Sequence, residues 1–283
     1  MMPSPEKIEA VATEGDSRLK VAVLVSGSGT NLQALMDRMN DGSLKARIVC
    51  VGSDRPDAYG LVRAERAGIP TFVVDYARIV AGEAPEDVDE HLLLRVDARQ
   101  KIFSSLDPHA RRERIRRLII AERALIEHLD RYGPDLVCLA GFMRLLTPYF
   151  LDYYNGEGEF RVVNIHPALL PAFPGQHGYE DTHAYGCRWG GVTVHYVDEG
   201  EDSGPVIAQA VYPIWDEDTV ESIREKGLHL EYMVYAQVIN WIAEGRVKVE
   251  FREGFRPRVR IDDPDYREIL GSWVESAFRF PPS

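Results

Sequence analysis

Two polar residues in the middle of the chain have the types and the spacing that acyl transfer requires. Asn164 and His166 lie two positions apart, at the end of an apolar run at 160–165. Side chains two apart on a strand leave on the same face, so the spacing predicts an amide beside an imidazole. Such a pair can stabilise an oxyanion and move a proton. The prolines at 167, 171 and 174 favour a rigid wall beside the pair.

A glycine-rich loop with the sequence S-G-S-G-T-N occupies residues 26–31. It follows an apolar run at 18–25 and precedes helically spaced apolar residues at 32–39, so it joins a strand to a helix. Glycines let backbone N–H groups approach an anion, and a helix N-terminus favours negative charge. The loop lacks the lysine of the Walker motif and does not fit G-x-G-x-x-G. It therefore predicts a phosphate site, with a tight turn capped by Thr30 or Asn31 as the competing interpretation.

An acidic loop at 197–202 leads into a predicted strand at 205–211. A run of acidic residues and glycines usually marks a solvated turn, and this interpretation stays open for the loop as a whole.

Strands and helices alternate along most of the chain. Predicted helices end near residues 39, 67, 132 and 243, and predicted strands lie at 18–25, 46–52, 71–74, 135–140, 160–165, 191–197 and 205–211. This order predicts an α/β fold with a mostly parallel sheet and helices on both faces. Open sheets of this kind bind ligands at the carboxyl ends of their strands. We expect the glycine-rich loop and the Asn164–His166 pair at that edge.

Four motifs, taken together and in order, resemble the glycinamide ribonucleotide formyltransferases of the formyltransferase family. They are S-G-x-G-[ST]-N at 26–31, A-G-F-M-R-L-L-T-P at 140–148, N-I-H-P-x-L-L-P-x-[FY]-P-G at 164–175, and D-x-G-P-V-I at 202–207. The resemblance covers most of residues 18–248 and implies a Rossmann-like formyltransferase fold. It also implies an activity, the transfer of the formyl group of 10-formyltetrahydrofolate to the amine of 5-phosphoribosylglycinamide in purine biosynthesis, by direct attack through a tetrahedral intermediate.

The resemblance also implies roles for individual residues. Asn164, His166 and Asp202 would be catalytic, the first two stabilising the oxyanion and the third orienting the imidazole. In that role the Asp202 carboxylate would favour the imidazolium and raise the pKa of His166. Residues that would bind the ribonucleotide are Gly27, Ser28, Gly29, Thr30, Asn31 and Glu231. Residues that would line the folate pocket, largely through backbone groups, are Met143, Arg144, Leu145, Leu146, Val197, Asp198, Glu199, Gly200 and Glu201. An arginine near the substrate and the folate tail is common in the family, and Arg111, Arg112 and Arg114 are candidates.

The composition limits the classes of partner. The chain carries 33 Lys and Arg against 45 Asp and Glu, a net charge of −12, which argues against nucleic acid because phosphate backbones are bound by basic surfaces. The first eighteen residues lack the apolar core of a signal peptide, and no apolar run reaches membrane-spanning length. The spacing of the three cysteines fits neither a zinc site nor a disulfide framework. We expect a cytoplasmic monomer or homodimer that binds small molecules and no metal.

The chain is predicted to contain one main domain with additions. The domain covers 18–248, after a disordered tail at 1–17. An insertion around 77–117 breaks the alternation of strands and helices, and part of it is predicted to be a helical excursion. An extension follows at 249–283. No internal repeat or low-complexity linker divides the domain.

Two other functions are compatible with the same motifs. A formyltetrahydrofolate hydrolase would use water in place of the amine, but it would have no need of a phosphate loop. A non-catalytic folate- or nucleotide-binding regulator could use the same scaffold, but it would have no reason to keep Asn164, His166 and Asp202 together. Formate release without ribonucleotide would support the hydrolase.

Overall fold

The computed structural model describes residues 16–82, 88–156 and 158–279. The tail predicted at 1–17 lies outside these ranges except for its last two positions, and its disorder stays a prediction. Residues 83–87 of the predicted insertion also lie outside them.

Seven strands form the main sheet: β1 (Leu19–Val25), β2 (Ala46–Ser53), β3 (Thr71–Val73), β4 (Leu136–Leu139), β5 (Val162–His166), β6 (Trp189–Tyr196) and β7 (Val206–Pro213). Their order across the sheet is β3-β2-β1-β4-β5-β6-β7. The first five strands are parallel, whereas β6 is antiparallel to β5 and β7 is antiparallel to β6. The predicted α/β fold with a mostly parallel sheet is confirmed.

Helices cover both faces of this sheet: α1 (Thr30–Asn40), α2 (Tyr59–Arg66), α3 (Tyr76–Ala81), α4 (Glu90–Arg99), α5 (Pro108–Asp130), α6 (Pro148–Tyr154), α7 (Gly178–Ala184), α8 (Val220–Ala243) and α9 (Tyr266–Arg279). Alternate residues of β1 enter two separate cores. Val21 and Val23 pack with α1, α2 and α8, and Leu24 packs with α5 and α6. Within the described ranges, no helix is long and apolar enough to cross a membrane.

The strand order reverses beside β1, and the predicted motifs gather there. The chain runs from β1 outward to β2 and β3, and then returns to place β4 on the other side of β1. The glycine-rich loop follows β1, the segment 140–147 follows β4, and Asn164 and His166 lie near the end of β5. Open α/β sheets bind ligands at such a switch point.

The predicted insertion around 77–117 contains most of α3, all of α4 and the start of α5. Asp89 and Asp107 begin α4 and α5, since each side chain accepts hydrogen bonds from backbone N–H groups of the first turn. The two helices bury a small core of their own between them: Val88, Leu93, Val96, Ile115 and Ile119. Good caps and this local core explain the helices, although the charged sequence shows little periodicity.

The chain beyond α8 continues into the main core. A hairpin of β8 (Val247–Glu250) and β9 (Arg258–Ile261) precedes α9. Trp273 of α9 is 3% exposed, and its ring centroid lies 5.9 Å from that of Trp241 in α8. The extension predicted at 249–283 therefore contains elements that the sequence analysis did not anticipate, and it shares the core of the sheet.

Candidate active site

Asn164, His166 and Asp202 meet at the end of β5. Nδ2 of Asn164 lies 3.4 Å from Oδ1 of Asp202, and Nδ1 of His166 lies 3.2 Å from Oδ2. Asn164 and His166 are on the same face of β5, as their spacing predicts. Asp202 reaches them because the loop between β6 and β7 folds back on itself, closed at its base by the bond from Tyr196 N–H to the Pro205 carbonyl. The structure thus gathers an amide, an imidazole and a carboxylate.

A fourth polar residue, His195 on β6, joins this cluster. Its Nδ1 lies 2.8 Å from the carbonyl oxygen of Tyr196, which can only accept, so Nδ1 carries a proton. In the neutral ring Nε2 is then an acceptor, 3.3 Å from Nδ2 of Asn164. His195 is 1% exposed, so it lies inside the protein. Its contact with the Asn164 amide orients that amide. Sequence reasoning left His195 without a role, although its position opposite Asn164 on an adjacent strand could have indicated it.

The imidazole of His166 lies between two acceptors. Nε2 is 2.8 Å from the carbonyl oxygen of Phe173, and Nδ1 faces the carboxylate of Asp202. The neutral ring has one N–H and can donate to only one of them, whereas the imidazolium can donate to both. Hydrogen bonding therefore favours the protonated ring, and burial opposes it.

Burial decides the direction of the His166 shift. It lowers the pKa of His166 below its ordinary value, and the charge of Asp202 opposes this without overcoming it. Asp202 does raise the pKa of His166, as its pairing with the ring implies, but the net shift is downward because the ring is 3% exposed.

Asp202 differs from its acidic neighbours in burial and in partners. Its side chain is 12% exposed and accepts a hydrogen bond of 2.8 Å from the backbone N–H of Gly175. Burial would raise the pKa of this carboxyl, but the imidazoles of His195 and His166 and the Gly175 N–H bring it below its ordinary value. Its backbone lies in the left-handed region, with φ at 47°. The solvated-turn interpretation does not fit Asp202.

The glycine-rich loop leaves the start of α1 open. Gly29 is the N-cap residue, with φ at 68°, and no side chain of the described residues caps the helix. The competing interpretation, a turn capped by Thr30 or Asn31, is therefore wrong. An added Cβ at Gly29 would lie 2.7 Å from the Cα of Gly60, so glycine is needed both for the conformation and for close packing. Free N–H groups and the positive end of the helix dipole remain available to an anion.

Glu231 of α8 lies beside this loop, 4% exposed. Oε2 accepts a hydrogen bond of 2.5 Å from Nδ2 of Asn31, and Oε1 accepts one of 2.5 Å from the hydroxyl of Tyr179. Burial raises the pKa of Glu231, against the effect of these two donors. The carboxylate is thus held at the phosphate loop, and Tyr179 is a neighbour that the sequence analysis missed.

A cavity of about 160 Å³ opens next to Asn164, His166 and Asp202. From the predicted folate set it is lined by Met143, Arg144, Leu145, Leu146, Val197, Asp198, Gly200 and Glu201, and also by Ile102 from the connection between α4 and α5. Glu199 does not line it, because its side chain pairs on the far side of the loop with Arg99 and Lys101. The structure therefore brings all but one of the predicted residues to a single cavity.

Two polar contacts fix the position of the segment that follows β4. The N–H of Met143 donates to Oγ of Ser26 at 2.8 Å, and Nε of Arg144 lies 2.5 Å from Oδ2 of the buried Asp54. Asp54 was not singled out from the sequence, since it reads as part of a turn after β2. It fixes the direction of the Arg144 guanidinium.

Glu122 supports the same segment. It is fully buried in α5 and accepts hydrogen bonds of 2.6 Å from the backbone N–H and the hydroxyl of Thr147. Burial raises the pKa of Glu122 to about 7. Its helical spacing from Leu118 and Leu125 places it on the apolar face of α5, which was the available sequence signal.

The three candidate arginines are not at this cavity. Arg111 and Arg112 pair with Asp97 of α4, at 2.5 and 3.2 Å. Among the described residues that line the cavity, none of Arg111, Arg112 and Arg114 is found. Arg111 and Arg112 thus hold α5 to α4, and the arginine among the described residues that line the cavity is Arg144.

Fold and site together define a class of protein. A family profile described as formyl transferase matches residues 19–239, and the chain belongs to the formyl transferase family.

Within that family the chain is similar to enzymes of one kind. It is 35% identical to the phosphoribosylglycinamide formyltransferase of Escherichia coli and 34% identical to that of Haemophilus influenzae, in both cases over 82% of this chain and 90% of the relative. The crystal structure of glycinamide ribonucleotide transformylase 1 from Symbiobacterium toebii superimposes with a TM-score of 0.66 at 37% identity, covering 90% of this chain and 99% of that one.

Proposed function

We propose that the chain transfers the formyl group of 10-formyltetrahydrofolate to the amine of 5-phosphoribosylglycinamide. The observation that carries the proposal is the convergence of Asn164, His166 and Asp202 beside a cavity, at the sheet edge that also carries the open N-terminus of α1. The cavity suits the folate co-substrate, and the helix N-terminus suits the phosphate of the ribonucleotide. The names of the relatives support the same reaction.

In this proposal the amine attacks the formyl carbon directly. A C–N bond forms and the formyl oxygen becomes an oxyanion, which the N–H groups of Asn164 and His166 stabilise. The contact from Asn164 to Asp202 is long, at 3.4 Å, so this N–H is available to a better acceptor. The amine loses a proton through water to the His166–Asp202 pair, and N10 of the folate takes up a proton as it leaves. The products are the formylated ribonucleotide and tetrahydrofolate.

The two substrates would enter from opposite sides of this cluster. Backbone N–H groups of residues 27–31 would hold the phosphate, and Glu231 would meet the ribose. Backbone groups of 143–146 and 197–202 would hold the pterin, with apolar contact from Leu145, Leu146 and Ile102. Since both Glu231 oxygens already accept hydrogen bonds, a ribose hydroxyl would share an oxygen with Asn31 or Tyr179.

We also propose that residues 18–248 form the catalytic domain, with the insertion and the extension as additions to it. Its substrates in this reaction are small soluble molecules of purine biosynthesis, which supports a cytoplasmic location and requires no nucleic acid or membrane.

The first prediction concerns the protonation of His166. In an NMR titration of the imidazole from about pH 4.5 to 8.5, the midpoint should lie below 6.5, because burial lowers the pKa. In Asp202→Asn it should move lower still, since the carboxylate raises the pKa and the variant removes it. Loss of the assigned signal in His166→Gln identifies the resonance. A midpoint above 6.5 in the unmodified protein would contradict the dominance of burial.

The second prediction concerns the phosphate site, which Gly27 tests better than Gly29. A Cβ at Gly29 would collide with Gly60, whereas a Cβ at Gly27 meets nothing within 4 Å. Gly27→Val should leave the fold intact and raise the KM for phosphoribosylglycinamide about tenfold, because the side chain obstructs the N–H groups of the loop. The riboside that lacks the phosphate is the matched probe, and the variant should not change its KM. Equal binding of riboside and ribonucleotide by the unmodified protein would remove the phosphate assignment.

An assay of formyl transfer with purified protein tests the function itself. Phosphoribosylglycinamide and 10-formyltetrahydrofolate are supplied together, and formylated ribonucleotide and tetrahydrofolate are measured. A second arm omits the ribonucleotide and measures formate. Transfer in the first arm supports the proposal, whereas formate in the second arm without transfer in the first would replace it with hydrolysis.

A further inference from the structure

The acidic loop at 197–202 separates two open spaces. Asp198, Gly200 and Glu201 line the cavity beside the catalytic cluster, and the same residues line a larger cleft of about 1330 Å³ on the other side. A segment with space on both faces gains little from side-chain packing, so its position depends on polar contacts at its ends. Those contacts come from the two additions to the domain.

The connection between α4 and α5 holds the loop at Glu199. The backbone N–H of Lys101 donates to the Glu199 carbonyl at 3.1 Å. Arg99 donates to Oε1 of Glu199 through Nε and Nη2, at 3.1 and 2.6 Å, and reaches Asp152 of α6 through Nη1 at 2.7 Å. The ammonium of Lys101 is 3.3 Å from the same Glu199 carboxylate. A fork-shaped guanidinium that bridges two carboxylates, with a backbone bond beside it, is a network rather than an isolated surface pair.

The connection between β8 and β9 holds the loop at Ser203. Nη1 of Arg256 donates to the Ser203 carbonyl at 3.2 Å. Phe251 of the same connection stacks on Phe160, which in turn stacks on Tyr196 at the start of the loop, with ring centroids 6.4 and 5.1 Å apart. The two contacts therefore lie on either side of Asp202 in the sequence.

Asp202 needs such support because of its backbone. A non-glycine residue with φ at 47° is strained, and it keeps that conformation only where its surroundings enforce it. Gly175 and His166 contact the side chain of Asp202 from within the protein, whereas Glu199 and Ser203 are the points at which the rest of the protein binds the chain around it.

We propose that Arg99 and Arg256 are positioning residues of the acidic loop. By fixing Glu199 and Ser203 they keep the loop in the arrangement that closes the folate cavity and presents Asp202. This gives the insertion and the extension a shared role in the reaction, and it rests on the proposed function for the identity of the ligand. The Glu199 side chain is 26% exposed, and Arg99 and Lys101 beside it lower the pKa of its carboxyl against the effect of burial.

The test measures folate kinetics in Arg99→Ala, Arg256→Ala and the double variant. The KM for 10-formyltetrahydrofolate should rise about threefold in each single variant and about tenfold in the double variant, while the KM for the ribonucleotide stays within about twofold. Arg95→Ala, on α4 like Arg99, and Arg258→Ala, two residues after Arg256 at the start of β9, are matched controls. Both arginines are exposed, and their removal should change none of these constants.

A double-mutant cycle separates positioning from general stability. If Arg99 acts through Glu199, then Arg99→Ala in a Glu199→Gln background should raise the folate KM by much less than it does alone. Fully additive effects, or a folate KM that no arginine variant changes, would overturn the proposal. If Arg99→Ala lowers the melting temperature markedly, Arg256→Ala alone decides, because Arg256 contacts a backbone carbonyl on the other flank of the loop. An unchanged folate KM in that variant would then overturn the proposal.

A binding measurement tests the positioning role without relying on formyl transfer. The dissociation constant of 5,10-dideazatetrahydrofolate, which has no N10 to carry a formyl group, should follow the same order across the variants. If the unmodified protein binds this compound but transfers no formyl group, the proposed function is wrong. The positioning role can then still be tested by binding. Transfer with unchanged binding in all variants would remove the positioning role alone.

Discussion

Asp202→Asn should lower kcat by a factor of about 10² to 10⁴ and leave the KM for the ribonucleotide nearly unchanged. The variant keeps the size of the side chain and removes its charge, so the imidazolium of His166, 3.2 Å away, loses its counter-ion. Proton transfer from the attacking amine is then less favourable, which corresponds to roughly 3–5 kcal/mol of barrier. Steady-state kinetics with both substrates varied would separate kcat from the two KM values.

Glu201→Gln is the comparison for this prediction, because it removes a charge from the same loop at an exposed position. The contacts proposed for that residue use backbone groups, so its loss in kcat should stay under about threefold, as for an exposed charge. Asp198 is a poorer comparison, since its carboxylate accepts from the Ser203 hydroxyl at 2.6 Å and so shapes the loop. Similar, mild losses in Asp202→Asn and Glu201→Gln would leave Asp202 without a catalytic role.

Local sequence patterns were sufficient for the sheet and for half of the catalytic cluster. Strands such as 19–25 are apolar on both faces, and the turn residues that bound them are strong signals. The side-by-side placement of Asn164 and His166 follows from the two-residue period of a strand alone. These features depend on contacts within one element, which is why spacing predicts them.

Local sequence patterns do not predict contacts between segments that are far apart in the sequence. His195 reaches Asn164 only because β6 pairs antiparallel with β5. Tyr179 reaches Glu231 because α7 packs on α8. In each case the partner is a common residue type that lies far away in the sequence, so no local pattern identifies it. A helical excursion was predicted within the insertion, but its bounds were not, because its small core forms between segments whose own periodicity is weak. The elements of the extension were missed, since α9 is stabilised by packing against the core of the main sheet.

Burial reverses the direction of the pKa shift that charges alone would give His166. From the sequence, a carboxylate beside an imidazole implies a raised pKa. In the structure the ring is enclosed by β5, the Phe173 carbonyl and His195, and desolvation is the larger effect. A neutral ring that can still donate two hydrogen bonds once protonated is well suited to take up a proton during amine attack and return it when the folate leaves.

Asn164 has the other large expected effect. Asn164→Ala should lower kcat by a factor of about 10² to 10³, because it removes an oxyanion donor that His195 holds in place before the substrate arrives. The KM for either substrate should change less than kcat, since the donor acts mainly on charge that develops in the transition state.

Asn164→Asp distinguishes hydrogen-bond donation by Asn164 from simple filling of space. The aspartate keeps the shape of the side chain, but it has no N–H and would place a second carboxylate about 3.4 Å from Oδ1 of Asp202. Like charges at that distance disfavour ionisation of both groups, so Asn164→Asp should be at least as impaired as Asn164→Ala, and its residual activity should rise as the pH falls. Single-turnover rates for both variants, across a range of pH, would measure this. If Asn164→Asp retains activity within about tenfold of the unmodified protein, the amide does not act as an oxyanion donor.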